Sequence, residues 1–428
     1  MYCIFCGTSI LSPANEFKTV NENDLTETSS YFKSRQYYGC TQLVNTEIEN
    51  ISTSITKITA EFRSYQYSGC NSLISTSTEV LPNSIIEIGG EFRAYQYSYC
   101  IGLTTITNEA LPANLKILGH YFRRNQYSGC IELINPADEV HPNSITNYSS
   151  DYSGLGNYFR YCQYSGCTSL IKAATEVLSS NIDTIGTYFR NNQYENCTNL
   201  TTAAVEKLPS YVFKVDAYFR NNQYYNCSSL TKAATESFSV YETTIGTYFR
   251  HSQYYGCTNL TTAAIEILPS SITQIGPYFR YSQYYNCINL TTAATEVLSN
   301  NVTTIGNYFR NNQYYGCTSL TKPSTEALPN SVTSIGTNFR YSQYAVCTNL
   351  QIGSHIHIRM DEFINGSNNY YRMFNLNSAK TSPTDTLPKY KTSSGSIYSI
   401  DNITPSAVKN YCRNRENIPE YNTTLNSN

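Results

Sequence analysis

The chain has 428 residues, with 29 Lys and Arg against 31 Asp and Glu and a formal charge of −2. Its cations are dispersed, which leaves no basic footprint for nucleic acid. No run approaches the ~20 apolar residues of a membrane-spanning helix, so membrane insertion is not expected.

The first stretch, residues 1–30, is expected to cap one end of the chain. It has no basic segment leading into an apolar one, so no Sec signal peptide is visible. Retention inside the cell, exit by another route such as a virion, and trimming of the chain all stay open. Cys3-Ile4-Phe5-Cys6-Gly7 looks like half of a zinc ribbon. A structural zinc site takes four ligands, and no second Cys-x-x-Cys exists. His355 and His357 lie beyond the far end of the array, and only a head-to-tail neighbour could bring them to Cys3 and Cys6. Two cap cysteines are the preferred reading, and no cofactor is expected.

From residue 31 to 350 the chain repeats. Phenylalanine recurs at Phe32, Phe62, Phe92, Phe122, Phe159 and onward to Phe339, eleven times in all. The spacing is thirty residues each time but one, thirty-seven between Phe122 and Phe159. A fixed period of this size marks a solenoid. Five positions never change, and in the ninth copy they are Phe279, Gln283, Tyr284, Cys287 and Leu290. Their offsets fall on one helical face, so Gly276 to Tyr285 is predicted to form one or two helical turns. The Thr-rich LTTAATEVL that follows is predicted to be extended, with VTTIG as a second short β-like piece.

The repeated polar residues are read as scaffold. Eleven of the 15 cysteines occupy one site per copy, among them Cys197, Cys227, Cys257 and Cys287. Stacked copies point side by side, whereas disulfides need converging Cβ vectors. A buried thiol ladder is therefore preferred over disulfides. Gln193, Gln223, Gln253 and Gln283 are expected to form an amide ladder, each donating to one neighbour and accepting from the other. Ten Glu, including Glu176, Glu206, Glu236 and Glu266, match ten Arg, including Arg190, Arg220, Arg250 and Arg280. A column of like charges about 5 Å apart repels itself. Two opposite columns placed together cancel that repulsion, and a planar guanidinium can bridge two carboxylates. A charged binding strip is the alternative.

The positions that vary between copies are expected to face solvent and to carry any binding specificity. They include the two residues after the arginine, as in Ala94-Tyr95, Asn191-Asn192, His251-Ser252, Tyr281-Ser282 and Tyr161, and the pairs on either side of the cysteine; the Thr-rich strand face is the alternative. The seven extra residues fall within 147–154, a polar loop holding Tyr148 and Tyr152, and they are the best non-repeated candidate. From 351 to 428 the repeat dissolves into an expected partial repeat, a loop, and a closing strand and helix.

The order Cys-x-x-Leu-Thr, then Leu-Pro-Asn-Ser-Val-Thr-x-Ile-Gly, then Tyr-Phe resembles the BspA-like leucine-rich repeats. It is clearest at Cys317 to Leu320, Leu328 to Gly336 and Cys347 to Leu350. This unit is longer than that family's, between Ile-Gly and Cys and again between Leu and Leu-Pro. The resemblance implies an α/β repeat, a right-handed leucine-rich-repeat solenoid of about eleven 30-residue turns with terminal caps. It also implies a surface-exposed adhesion or binding role, and it transfers no catalytic residue.

No G-x-S-x-G, H-E-x-x-H or P-loop stands outside the ladders. The expectation is a non-enzymatic binding or adhesion protein that presents a Tyr/Asn/Thr-rich surface to a protein or glycan on a cell or virion surface. A structural fibre or spacer is the alternative. Oligomeric state stays open.

Overall fold

The computed structural model describes residues 26–46, 51–77, 80–146 apart from 109, and 156–351 apart from 235, 239–240, 242, 265, 295 and 325–327. Further on it describes 356–363, 369–370, 373–374, 389–392, 394 and 396–399. Cys3, Cys6, Tyr148, Tyr152 and the expected closing helix lie outside these residues.

The chain winds as a parallel solenoid in which each circuit lies against the residues thirty positions earlier. Ile245 pairs with Val215 on one side and Ile275 on the other, and Ile275 pairs with Ile305. This line forms a three-stranded sheet, Lys57–Ile58 to Ile117–Leu118, and a six-stranded sheet, Thr184–Ile185 to Ser334–Ile335. Among the described residues, strand pairing on this line covers nine circuits, and the circuit between the two sheets has its place on this line outside those residues. A second line pairs Glu139–Val140 with Glu176–Val177 across the long circuit. This line thus keeps its register across the thirty-seven-residue spacing.

Side chains stack in the same register. Phenylalanine rings lie face to face at 5.3 Å for Phe279 on Phe309 and 5.5 Å across the insertion, Phe122 on Phe159. A parallel column of tyrosines, Tyr254 to Tyr284 to Tyr314, repeats at 5.3 and 5.4 Å. With Cys287, Leu290, Val302 and Ile305, these columns form one continuous buried core. Tyrosine hydroxyls of this column also accept backbone N–H groups, as from Ala264 to Tyr284 at 3.1 Å.

The predicted helical turns do not form. Among the described residues the one α-helix is Met360–Phe363, beyond the array. The segment Tyr278 to Asn286 is instead a ribbon in which Tyr278, Arg280 and Ser282 take φ of 57°, 53° and 51°. The residues between them bond locally, Gln283 N–H to the Arg280 carbonyl at 3.3 Å and Tyr285 N–H to Ser282 at 3.1 Å. The left-handed residues bond across circuits, Tyr278 N–H to Asn307 at 2.8 Å and Ser282 N–H to Asn311 at 2.9 Å. An α-helix is ~10 Å wide with its side chains. It cannot be laid down once per circuit in a column that repeats at 5.3 Å. A flat ribbon can, and it spends half of its donors on its neighbours.

Left-handed backbone costs an L-residue roughly 1–2 kcal/mol. The cross-circuit hydrogen bonds and ring stacks offset that cost at Tyr278, Arg280 and Ser282. Just before the cysteine the sequence adapts instead: Gly256, Asn286 and Gly316 have φ of 70°, 57° and 73°. Glycine and asparagine are the residues that tolerate this region best.

Past the array the stacking continues. Tyr344 N–H donates to the Met373 carbonyl at 2.8 Å, and Phe374 stacks on Tyr344 at 5.7 Å. Ile356–Ile358 then pairs parallel with Lys389–Lys391, which pairs antiparallel with Ile397–Ser399.

Candidate functional site: an outward tyrosine track over internal ladders

The polar residues common to every copy point inward. Nε2 of Gln193, Gln223, Gln253 and Gln283 donates to Oε1 of the glutamine one circuit earlier, at 3.4, 3.2, 3.2 and 3.4 Å. Each amide thereby satisfies a buried neighbour. The thiols of Cys197, Cys227, Cys257 and Cys287 donate to the carbonyls of Tyr164, Tyr194, Tyr224 and Tyr254 at 3.0–3.1 Å. All are free and buried. Burial holds the Cys227 and Cys287 thiols well above their ordinary range, which suits packing and not nucleophilic chemistry.

Arg190, Arg220, Arg250 and Arg280 are buried, each guanidinium lying over the phenylalanine before it. Ionic contacts are described beside the long circuit. Arg123 Nη2 sits 2.8 Å from Glu139, and Arg160 pairs with Glu139 through Nη2 and with Glu176 through Nε at 2.7 Å. Arg190 closes on the other oxygen of Glu176. One guanidinium thus spans the carboxylates of two circuits. The side chains of Glu206, Glu236 and Glu266 lie outside the described ones, although their backbones keep the same paired register.

His141 enters this network. Leucine occupies its position in the flanking circuits, as Leu111 and Leu178. Its Nε2 lies 3.2 Å from Glu176 and 3.7 Å from Glu139. Burial, reinforced by Arg123 and Arg190, pushes its pKa down to about 3. Glu139, His141 and Glu176 group three potential metal ligands. Three guanidinium groups already surround the two carboxylates, so the site is electrostatically set against a cation.

The face that meets solvent is different. The tyrosine just before seven successive phenylalanines forms a partly exposed stack: Tyr121, Tyr158, Tyr188, Tyr218, Tyr248, Tyr278 and Tyr308. Successive ring centroids are 4.4–4.8 Å apart. A second strip, Tyr225, Tyr255, Tyr285 and Tyr315, stacks at 4.6–4.7 Å. In each strip the ring faces are covered by neighbours, so edges and hydroxyls are what solvent meets.

The variable positions flank the first track unevenly. Tyr161 meets Tyr158 edge-on at 5.5 Å, and Tyr281 lies 5.8 Å from Tyr278. His251 stacks on Tyr281 at 4.9 Å, and burial lowers its pKa to about 4. Tyr95 stacks on Tyr65 at 4.4 Å. Asn191 departs from expectation, being 3% exposed, and Ala94, Ser252 and Ser282 are buried as well. Tyr161, His251 and Tyr281 stand at the same place in the repeat and are partly exposed, so the shorter side chain and not the backbone direction sets Asn191 apart. Asn192 is partly exposed and donates to Glu195 at 2.6 Å. Sequence reasoning does not single out the first tyrosine track. The signal that marks it is Tyr-Phe in seven consecutive copies.

No family model matches the sequence, and no curated protein matches it. Solved structures do. A leucine-rich repeat protein from Bacteroides ovatus is 17% identical, with 85% of this chain and 82% of that chain covered and a TM-score of 0.38. A leucine-rich cell surface protein from Faecalibacterium prausnitzii is 19% identical, with 73% and 76% covered and a TM-score of 0.26. A leucine-rich repeat protein from Eubacterium ventriosum is 14% identical, with 71% and 77% covered and a TM-score of 0.29. These three are bacterial leucine-rich repeat or leucine-rich cell surface proteins.

Proposed function

We propose that this chain is a non-enzymatic binding scaffold whose outward tyrosine track contacts the surface of a protein partner. The observation that carries this reading is the stack from Tyr121 to Tyr308. Tyrosine offers a large amphipathic contact area with few rotatable bonds. Here each ring is further held by the rings on either side, so little side-chain freedom remains to be lost on binding. Asn, Ser and Thr around the track supply adaptable hydrogen bonding, the composition that antibody combining sites use. A sugar ring stacks on an aromatic face, and these faces are occupied by neighbouring tyrosines. Exposed edges and hydroxyls fit a protein surface better.

The test is to present the full chain with a displayed library of short peptides and, in parallel, with a glycan array. Peptides should be enriched, and their affinity should fall about tenfold when Tyr218 and Tyr248 are both changed to Ser, the loss typical of an interface hot spot. Enrichment that survives this double change would remove the track from the interface. Hits confined to the glycan array would replace the protein partner with a glycan. No hits on either would favour a spacer.

A further inference from the structure

Arg124 is the one charged residue at its position in the repeat; the other ten copies have Ser, Ala, Asn, His or Tyr there. Its guanidinium carbon lies 5.5 Å from the ring of Tyr95, 5.4 Å from Tyr121, 5.4 Å from Tyr158 and 5.5 Å from Tyr161. These rings come from three successive circuits. They meet because the outer aromatic track changes position here. In the earlier circuits the flanking ring is three residues after Phe, as in Tyr65 and Tyr95, and in the next circuit it is two residues after, as Tyr161. Arg124 sits at that step.

The cage holds the cation without neutralising it. Among the described residues no carboxylate pairs with Arg124, and its buried Nε has no hydrogen-bond partner. This contrasts with Arg123, the next residue back, which is paired to Glu139 inside the core. Four aromatic neighbours attract a guanidinium through their ring quadrupoles and fix its position. They cannot accept the in-plane N–H bonds of its fork, which are shaped for a carboxylate.

We propose that Arg124 and the ring edges of Tyr95, Tyr121, Tyr158 and Tyr161 form a subsite for a carboxylate on the protein partner, an Asp or Glu side chain. This rests on the tyrosine-track reading above and adds an anchor to it. A pre-oriented cation beside aromatic edges is the kind of centre at which interface energy concentrates, since Tyr and Arg are enriched at hot spots. Low-dielectric ring walls strengthen the charge pair relative to one formed in open water.

The test uses peptides enriched on the full chain from the displayed library, together with soluble polygalacturonate as a carboxylate-bearing glycan. The variants are Arg124→Asn and Arg124→Lys. Asparagine already stands at the equivalent Asn191 and Asn221, so the first variant should fold, and an unchanged melting curve checks this. The expected result is that enriched peptides share an acidic position. Arg124→Asn should then weaken them about tenfold, as loss of a charge-assisted pair does, with Arg124→Lys between. Binding of the parent should also fall more steeply with salt than binding of Arg124→Asn. Peptides without a shared acid, or affinities unmoved by Arg124→Asn while the Tyr218 and Tyr248 double change still weakens them, would overturn the subsite and leave the track standing. An absence of enriched peptides together with no binding of polygalacturonate or the glycan array would remove both. Polygalacturonate binding that is lost in Arg124→Asn, with no peptide enriched, would overturn the protein partner and assign the carboxylate to a sugar.

Discussion

Arg123 Nη2 lies 2.8 Å from Glu139 Oε1, with side chains 2% and 0% exposed, and this pair begins a chain of charges that runs on through Arg160 and Glu176 to Arg190. Such a chain is sensitive to the loss of any single member. Arg160→Ala removes a partner from two buried carboxylates, and breaking a buried pair from one side costs about 3–5 kcal/mol. Because a solenoid interacts by nearest neighbours, the damage should be local. Hydrogen exchange should therefore accelerate in the circuits around Phe122 and Phe159 before it does around Phe309. Uniform acceleration, or none, would count against the chain of pairs.

His141 gives the fold an acid-sensitive point. Its folded pKa of about 3 lies below the ordinary 6.5. The unfolded chain therefore binds a proton first, and stability from this group is complete above about pH 6.5 and is lost as pH falls toward 3. The loss is roughly 1.4 kcal/mol per pH unit across that window. His141→Leu restores the residue found at Leu111 and Leu178 and should remove this contribution. Denaturant titrations of parent and variant should diverge progressively below about pH 6.5. Parallel pH profiles would refute the assignment.

The glutamine column predicts a penalty on both of its sides. Gln253 donates to Gln223 and accepts from Gln283. Gln253→Leu leaves a buried acceptor on one side and a buried donor on the other, each worth about 1–3 kcal/mol when unsatisfied. Chemical denaturation should show a loss of roughly 2–6 kcal/mol in the central circuits. A loss well under about 1 kcal/mol would mean that the column is not carrying these bonds.

The cysteine column should be chemically silent in the folded chain. Cys227 and Cys287 are fully buried, and burial keeps them protonated. A thiol reagent should label them only as fast as the circuits open, and completely in denaturant. Rapid labelling of the native protein at either residue would contradict the ladder.

Gly256 tests the ribbon itself. It has φ of 70°, and a Cβ there would come 2.3 Å from Asn226 Oδ1. Gly256→Ala should destabilise by about 1–2 kcal/mol, the cost of left-handed backbone for an L-residue. Asn286→Gly, at the equivalent position one circuit later, should be close to neutral. A helix at this segment predicts the opposite order, since alanine favours helix and glycine opposes it.

Internal repetition makes the buried columns legible in the sequence itself. Gln253, Cys257 and Phe249 recur without change, and a residue that recurs in a stacked array must tolerate its own copy about 5 Å away. That condition alone selects amides that pair head to tail, thiols that pack, and charges that alternate. The backbone between Gly276 and Tyr285 is not legible in the same way. Phe279, Gln283, Cys287 and Leu290 satisfy a helical offset, and offsets report which side chains share a face, not how wide the element is. The expected outward position of Asn191 fails for another reason: Tyr161, His251 and Tyr281 share its place in the repeat and reach the surface, so exposure there depends on side-chain length and on the neighbours from other circuits, which variability between copies does not report.

The sequence by itself thus determined the period, the core columns and the pairing partners along the axis, because identical residues one circuit apart leave few arrangements that avoid repulsion or unmet polar groups. Only the tertiary structure decided that each circuit carries a flat left- and right-handed ribbon, because that depends on the room between circuits. It also decided that Tyr121 to Tyr308 emerge as one outward track and that Arg124 lands among four of the outer rings. Those placements join residues from different circuits, and the period alone does not say which way each side chain turns.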